Sequence, residues 1–227
     1  MYKKFFKRFF DIILSLIAII ILSPVYLIIS VLVLIFMGWP ILFKQPRPGK
    51  NEKIFNMYKF RTMTNKKDKD GNLLPDEQRL PKFGRFLRST SLDELPEFFC
   101  ILFGKMSFIG PRPMLVRDMV FFNDETLKRQ SVMPGLTGWA QANGRNSINW
   151  DDRFKHDLYY VENLSLKMDL KVILLTIKTV LKREGIGEDG GDLSIDYGDY
   201  LLKHKRVSKK EYDKKQIEAK KILEKVK

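Results

Sequence analysis

Two adjacent carboxylates, Asp93 and Glu94, follow the hydroxyl run Ser89-Thr90-Ser91, and further along Gly110-Pro111-Arg112-Pro113 holds one arginine between two prolines. Proline fixes φ at about −65° and pushes the residue before it to extended geometry. Arg112 is therefore held between two stiff joints, as suits a cation that must meet an anion at a fixed place. Its guanidinium can grip a phosphate with two parallel hydrogen bonds, and Gly110 lets the backbone approach closely. Neighbours on a helix point about 100° apart, so Asp93 and Glu94 cannot act as one two-pronged ligand and have separate jobs. A helix N-terminus and a bound cation both keep a carboxylate ionised, and an ionised carboxylate can attack phosphorus. A purely structural reading competes: Ser91-x-x-Glu94 has the form of a capping box, with Asp93 favouring the helix dipole. Pro96 weighs against it, because it falls inside the helix that such a box would start.

The elements that must carry these residues begin with a long apolar run. From Ile12 to Phe43 there is no charged residue, and a spanning helix needs about 20 apolar residues. The run is too long for the apolar core of a cleavable signal peptide and lacks a small-x-small site. Ser23-Pro24 interrupts it near its centre, and a mid-helix proline bends a helix. Lys3, Lys4, Lys7 and Arg8 precede the run and Lys44, Arg47 and Lys50 follow it. The positive-inside rule places both ends on the cytoplasmic side, which a bent, re-entrant pair satisfies and a straight span does not. A kinked transmembrane helix is the alternative. Arg8 and Asp11 lie on one helical face and can pair near the membrane.

Ile54–Met63 reads as a strand, with Tyr58, Phe60 and Thr62 on one face and Lys59 and Arg61 on the other, either solvated or functional. Residues 65–76 read as a polar surface loop. Residues 82–88 form a short basic amphipathic piece suited to an anionic membrane surface, and Arg88 lies near the carboxylates in sequence. Leu115–Phe122 is apolar and helical in character. Residues 134–145, rich in glycine, read as a loop whose N–H groups can face phosphate or simply solvent. Leu166, Leu170, Ile173, Leu174, Ile177 and Leu181 make the stripe of an amphipathic helix over 166–183, ended by Gly185 and Gly187. Asp169 on that helix is either an active-site acid or a surface charge. Residues 187–200 read as an acidic, glycine-rich linker. From Lys203 onward eleven basic side chains outnumber four acidic ones. Residues 208–227 read as a polar helix with an Ile217-Ile222-Val226 edge, as a solvated tail, or as an arm that touches anionic headgroups.

The net charge of +14 calls for anionic partners. The single Cys100 lies in an apolar run and reads as a small buried hydrophobe, and no Cys/His cluster of metal type is present. Two function classes follow: an enzyme acting on phosphates at a membrane, and a membrane-anchored basic protein that binds nucleic acid or anionic lipid. Asp93-Glu94 separates them, since a nucleic-acid surface would not set two carboxylates beside phosphate without a metal, and no helix-turn-helix or RNA-binding signature is visible.

Ser-Leu-Asp-Glu-Leu-Pro (91–96), Lys-Phe-Arg-Thr-Met (59–63), Ser-Phe-Ile-Gly-Pro-Arg-Pro (107–113) and the block 134–145 together resemble the bacterial monotopic phosphoglycosyl transferases, over about residues 1–186. The resemblance implies an α+β, mostly α fold: a re-entrant N-terminal helix-break-helix over 1–43, broken at Ser23 and Pro24, a membrane-associated catalytic domain over 44–186, and a linker and basic tail over 187–227. It implies transfer of a phosphosugar from a UDP-sugar to polyprenyl phosphate with release of UMP, on the cytoplasmic face of the bacterial inner membrane. Asp93 would be the nucleophile and a ligand of Mg²⁺, which neutralises anion against anion; a route in which Asp93 only holds metal stays open. Glu94 would position metal or substrate or handle a proton. Lys59, Arg88, Arg112, Gln141, Arg145 and Asp157 would bind substrate. The small size resembles the branch working in protein glycosylation, where an N-acetylated sugar of the di-N-acetylbacillosamine type is usual. No nucleic-acid partner is implied.

Overall fold

A computed structural model describes residues 1–144, 148–181, 193 and 195–226. The chain divides into two compact units. The smaller comprises Ile12–Gln45 and Asn56–Phe103; the larger comprises Met1–Asp11, Pro46–Phe55 and Gly104–Lys227. Helices and two small two-stranded sheets make an α+β fold dominated by helix.

The apolar run becomes α1 (Lys7–Ile21), whose residues from Ile12 onward belong to the smaller unit, and α2 (Ser23–Met37). The Ser23 hydroxyl donates to the Ile20 carbonyl at 2.8 Å, and Pro24 sits in the first turn of α2, where a missing N–H costs nothing. The two helices are bent by 62° at this break. No single helix among the described residues is long and apolar enough to cross a membrane, although the bent pair together passes that test. Much of the pair's apolar surface lies open, including Leu27, Ile28 and Ile35.

The chain leaves α2 at Gly38, whose φ of 74° suits glycine, and runs into the hairpin β1 (Leu42–Pro48) and β2 (Ile54–Phe60). Arg61, read above as lying on a solvated or functional strand face, is instead buried. Its Nη2 donates to Met37 O at 2.7 Å and its Nε to Met63 O at 2.8 Å, so it closes the C-terminal end of α2. The expected Tyr58/Phe60 face also splits: Phe60 is buried and Tyr58 exposed. After the loop that follows come α3 (Asp76–Arg79), α4 (Lys82–Ser89) and α5 (Glu97–Leu102). The core gathers Ile29, Val33, Met37, Phe60 and Leu87. At Gly84 on α4 any Cβ would fall 1.9 Å from the Thr62 carbonyl oxygen, so only glycine lets α4 lie this close.

In the larger unit β3 (Ser107–Ile109) pairs in parallel with β4 (Gly135–Thr137), in register Ser107 to Gly135 and Ile109 to Thr137. Between them lie α6 (Val116–Met119) and α7 (Asp124–Leu127), followed by α8 (Trp139–Gly144), α9 (Trp150–Glu162), α10 (Leu166–Leu181), α11 (Tyr197–Lys203) and α12 (Lys209–Glu224). The expected irregular loop over 134–145 is therefore a strand and a short helix as far as Gly144. The expected apolar helix over 115–122 is one turn, buried at Val116, Met119 and Val120. Asp11 accepts hydrogen bonds from Ser107 Oγ and Phe108 N, both at 3.0 Å. Asp169, buried on α10, accepts from Lys7 Nζ at 2.6 Å, Tyr2 Oη at 2.5 Å and Tyr160 Oη at 2.7 Å. It is a structural anchor, neither a surface charge nor an open acid.

The α10 stripe faces outward: Leu166, Leu170, Leu174 and Ile177 are exposed, while Met168 and Val172 face the core. The chain beyond 195 is no solvated tail. Tyr197, Tyr200 and Leu201 of α11 pack with Met114, Trp150 and Phe154. Ala219, Ile222 and Leu223 of α12 pack with Val116, Met119 and Val120. The Ser208 side chain caps α12 through Glu211 N at 3.2 Å. The expected edge is displaced, since Ile217 and Val226 are exposed.

Candidate active site

In the smaller unit Ser91 takes a left-handed conformation, φ 55°, and opens a single 3-10 turn over Leu92–Glu94. No capping box forms, because the Ser91 side chain makes no cap bond and α5 starts only after Pro96. The turn gives its carboxylates different surroundings. Asp93 is 9% exposed. Lys59 Nζ, from β2, lies 2.6 Å from Glu94 Oε1 and 3.2 Å from Glu97 Oε1. Arg88 Nε donates to Thr62 Oγ1 at 3.0 Å. Lys59, Arg88, Asp93 and Glu94 are thus brought together, joined by the buried Glu97. That residue was passed over in the sequence; its signal was a charge placed right after Pro96, at the start of an apolar helix.

Burial pushes the Asp93 carboxyl above the usual carboxylate range, Lys59 and Arg88 pull it back down, and Glu94 raises it. Burial thus outweighs the nearby side-chain cations; the ionised Asp93 expected from the sequence rested on a helix start together with a bound cation. A further positive charge brought by a ligand would favour the carboxylate. Among the described residues no three His, Cys, Asp or Glu side chains could hold a metal together. Asp93 with Glu94 is the sparse donor set that Mg²⁺ uses when phosphates and waters complete its shell, so the residues present fit that ion. Cys100 is buried, with its Sγ 3.7 Å from the Asn56 carbonyl oxygen.

In the larger unit three glycines cross beside the Pro111-Arg112-Pro113 loop. A Cβ on Gly135 would lie 2.1 Å from Gly110 N, and one on Gly138 would lie 2.2 Å from Gly110 O. The Gly110 N–H is spent on Thr137 O at 2.9 Å and the Gly135 N–H on Pro111 O at 3.0 Å. These glycines serve close packing of β3 on β4, which replaces the expectation that they approach phosphate. Arg129 Nε and Nη2 donate to Asp157 Oδ2 at 3.0 and 2.7 Å, and Nη2 also donates to Arg112 O at 2.8 Å. Asp157 is 1% exposed, so this candidate substrate ligand meets Arg129 within the fold. Burial pulls the Arg153 guanidinium down to about 10; Asp157 opposes that shift, and Arg129 and Arg112 add to it. Arg153 also lies over the Trp150 ring at 5.0 Å. Arg112, Arg129 and Arg153 outnumber the two carboxylates that act with them, Asp157 and Asp118, which leaves excess positive charge suited to an anion. Neither Arg129 nor Arg153 stood out in the sequence, because each is one basic residue among many. Gln141 Nε2 donates to Leu136 O at 3.2 Å. Arg145 lies outside the described residues.

The family model for bacterial sugar transferases matches residues 2–183. The chain is 46% identical over 180 residues to an uncharacterized sugar transferase, EpsL, of Bacillus subtilis, covering 79% of this chain and 89% of the relative. It is 41% identical over 182 residues to a UDP-glucose:undecaprenyl-phosphate glucose-1-phosphate transferase of Klebsiella pneumoniae, covering 76% of this chain and 39% of the relative. It is 36% identical over 189 residues to a UDP-N-acetylgalactosamine-undecaprenyl-phosphate N-acetylgalactosaminephosphotransferase of Aeromonas hydrophila, covering 78% and 44%. The chain thus spans most of the Bacillus relative and less than half of the other two. It belongs to the bacterial sugar transferase family of phosphoglycosyl transferases, as its motifs had implied. Membership in an enzyme family sets aside the alternative of a basic binding protein.

Proposed function

We propose that this chain transfers a sugar phosphate from a UDP-sugar to polyprenyl phosphate, releasing UMP, as a first membrane step of glycoconjugate assembly. The observation that carries the reading is the buried Asp93, flanked by Lys59 and Arg88, on the turn that bears the family's Asp-Glu pair. A carboxylate oxygen of Asp93 attacks the sugar-linked phosphorus; a P–O bond forms, the diphosphate bridge breaks, and UMP leaves with the electron pair. An oxygen of polyprenyl phosphate then attacks the same phosphorus, and the bond to Asp93 breaks to restore the carboxylate. Lys59 orients Glu94 beside Asp93, Arg88 favours the ionised nucleophile, and Arg112 grips donor phosphate. Asp93, with Glu94 beside it, would hold Mg²⁺, which supplies charge neutralisation between anions. The bent, outwardly apolar α1–α2 pair supports re-entrant insertion from the cytoplasmic face of the inner membrane.

Intact-mass measurement of the purified chain with Mg²⁺ and a panel of UDP-sugars, without acceptor, tests this. A phosphosugar adduct at Asp93, absent from Asp93→Asn, is the expected result, and the panel identifies the sugar. Failure to find adduct or turnover with any sugar would sink the reading; turnover without adduct would replace the covalent route by direct transfer.

A further inference from the structure

The three consecutive carbonyls of the Pro-Arg-Pro loop are each held by a different element of the larger unit. Gly135 N of β4 donates to Pro111 O at 3.0 Å. Arg129, from the 3-10 turn Lys128–Ser131, donates to Arg112 O at 2.8 Å. Arg47 Nη1 of β1 donates to Pro113 O at 3.2 Å. The outer two fix the flanks, whereas the middle one fixes Arg112 itself.

That middle grip uses a costly group. Arg129 is 3% exposed and its carboxylate partner 1%. Withdrawing two such charges from water costs several kcal/mol each, and well-packed apolar residues commonly serve stability as well or better. The guanidinium is fixed in direction as well as neutralised. Both Nε and Nη2 bond Asp157 Oδ2, and the ring centroids of Phe122 and Phe154 lie 5.7 and 5.9 Å from its central carbon. Phe154 is held in turn by Tyr197 of α11, at 4.9 Å between ring centres. The two ring centroids are 5.4 Å apart, so both rings lie to one side of the guanidinium; a planar fork held there and along its Nε–Nη2 edge presents the second Nη2 N–H in a set direction, which a lysine ammonium cannot match.

We infer that Arg129 is a positioning residue: it sets the main chain at Arg112, and through it the direction in which the Arg112 guanidinium meets phosphate. Asp157 acts with Arg129 as its counter-charge rather than as a substrate ligand. This rests on the assignment of Arg112 to donor phosphate given above.

The test is calorimetric titration of UDP, with Mg²⁺, into the full chain in lipid nanodiscs, with thermal melting of each variant alongside. Arg112→Ala must weaken UDP; if it does not, the phosphate assignment of the loop fails and the inference with it. Arg129→Lys keeps charge and loses the fork. It is expected to raise Kd for UDP by about 10- to 100-fold, the usual effect of losing a group that orients a ligating residue, with melting nearly unchanged. Parent-like affinity in Arg129→Lys would overturn the inference while leaving Arg112 in place. If Arg129→Lys does not fold, Asp157→Asn decides. A positioning role predicts weaker UDP binding, because Arg129 loses its counter-charge. A carboxylate that faced phosphate directly would repel it, so tighter binding in Asp157→Asn would overturn the inference.

Discussion

Lys59 serves two carboxylates at once, and its removal should be felt in two readouts. In Lys59→Gln the buried Glu97 loses its counter-charge, which costs about 3 kcal/mol in denaturant unfolding. The same change takes a cation from Asp93, whose pKa burial already raises. The acid limb of the pH–rate profile should therefore move to higher pH. A limb that stays in place would remove Asp93 as the group titrating there. Asp118 offers a test with the opposite consequence for stability. Its carboxylate is buried, accepts from Gly198 N at 3.2 Å, and is pushed up to about 6, first by burial, with Asp196 adding and Arg117 and Arg47 opposing. The native state thus holds its proton longer than the unfolded chain, whose aspartates titrate at about 4. Stability contributed by this group is present below about pH 4 and is lost as pH rises towards 6. Asp118→Asn should then stabilise by about 3 kcal/mol at pH 7 and by little at pH 4, measured by urea unfolding at both.

At the scale of elements, glycine and proline decide what can lie against what. Gly135→Ala would drive a methyl group into Gly110 N and Thr137 O, so β3 and β4 should separate with a loss of several kcal/mol or of folding itself. Circular dichroism melting reads this directly. Pro24→Ala returns a main-chain N–H and removes the ring clash, together worth about 3 kcal/mol in a helix interior. The 62° bend should relax, and a cysteine placed at position 2 should change its accessibility to an impermeant thiol reagent in spheroplasts. Unchanged labelling would count against re-entrance. The Ser23-Pro24 break was legible because proline acts through local geometry. Ser91-x-x-Glu94, by contrast, looked like a capping box and was none, since Pro96 delays α5 past it. Arg61, Arg129 and Asp169 were illegible for a different reason. Each is buried against residues distant in sequence, and nothing in a single chain marks which of 41 basic side chains will be enclosed.

For the whole molecule, charge and exposed apolar surface point the same way. A net charge of +14 and the outward apolar stripe of α10 both suit the bilayer surface proposed for this chain. Leu174, 68% exposed, contributes nothing to the core, so Leu174→Glu should leave melting unchanged while making the protein easier to extract from membranes with mild detergent, the α1–α2 pair still holding it there without detergent. The amphipathic pattern of α10 was plain in the sequence, but its direction was not, because periodicity shows that a helix has two faces and not which of them meets protein. In the C-terminal segment the polar helix was legible and Ile222 of its expected edge does pack, but Ala219 and Leu223 take the places expected for Ile217 and Val226.

The grip of Arg61 on the last carbonyls of α2 carries a consequence for how this chain can vary. The helix is closed by a cation that belongs to another element and cannot travel with it. Apolar residues on the open side of α2, such as Leu27, Ile28 and Ile35, can be exchanged for one another at little cost, whereas Ile29, Val33 and Met37 are held by the core. Adding or removing a single residue is a different matter: it rotates the helix end by about 100° and shifts it by about 1.5 Å, taking the open carbonyls away from their donor. The open side of the segment is thus free in composition, while its length is fixed.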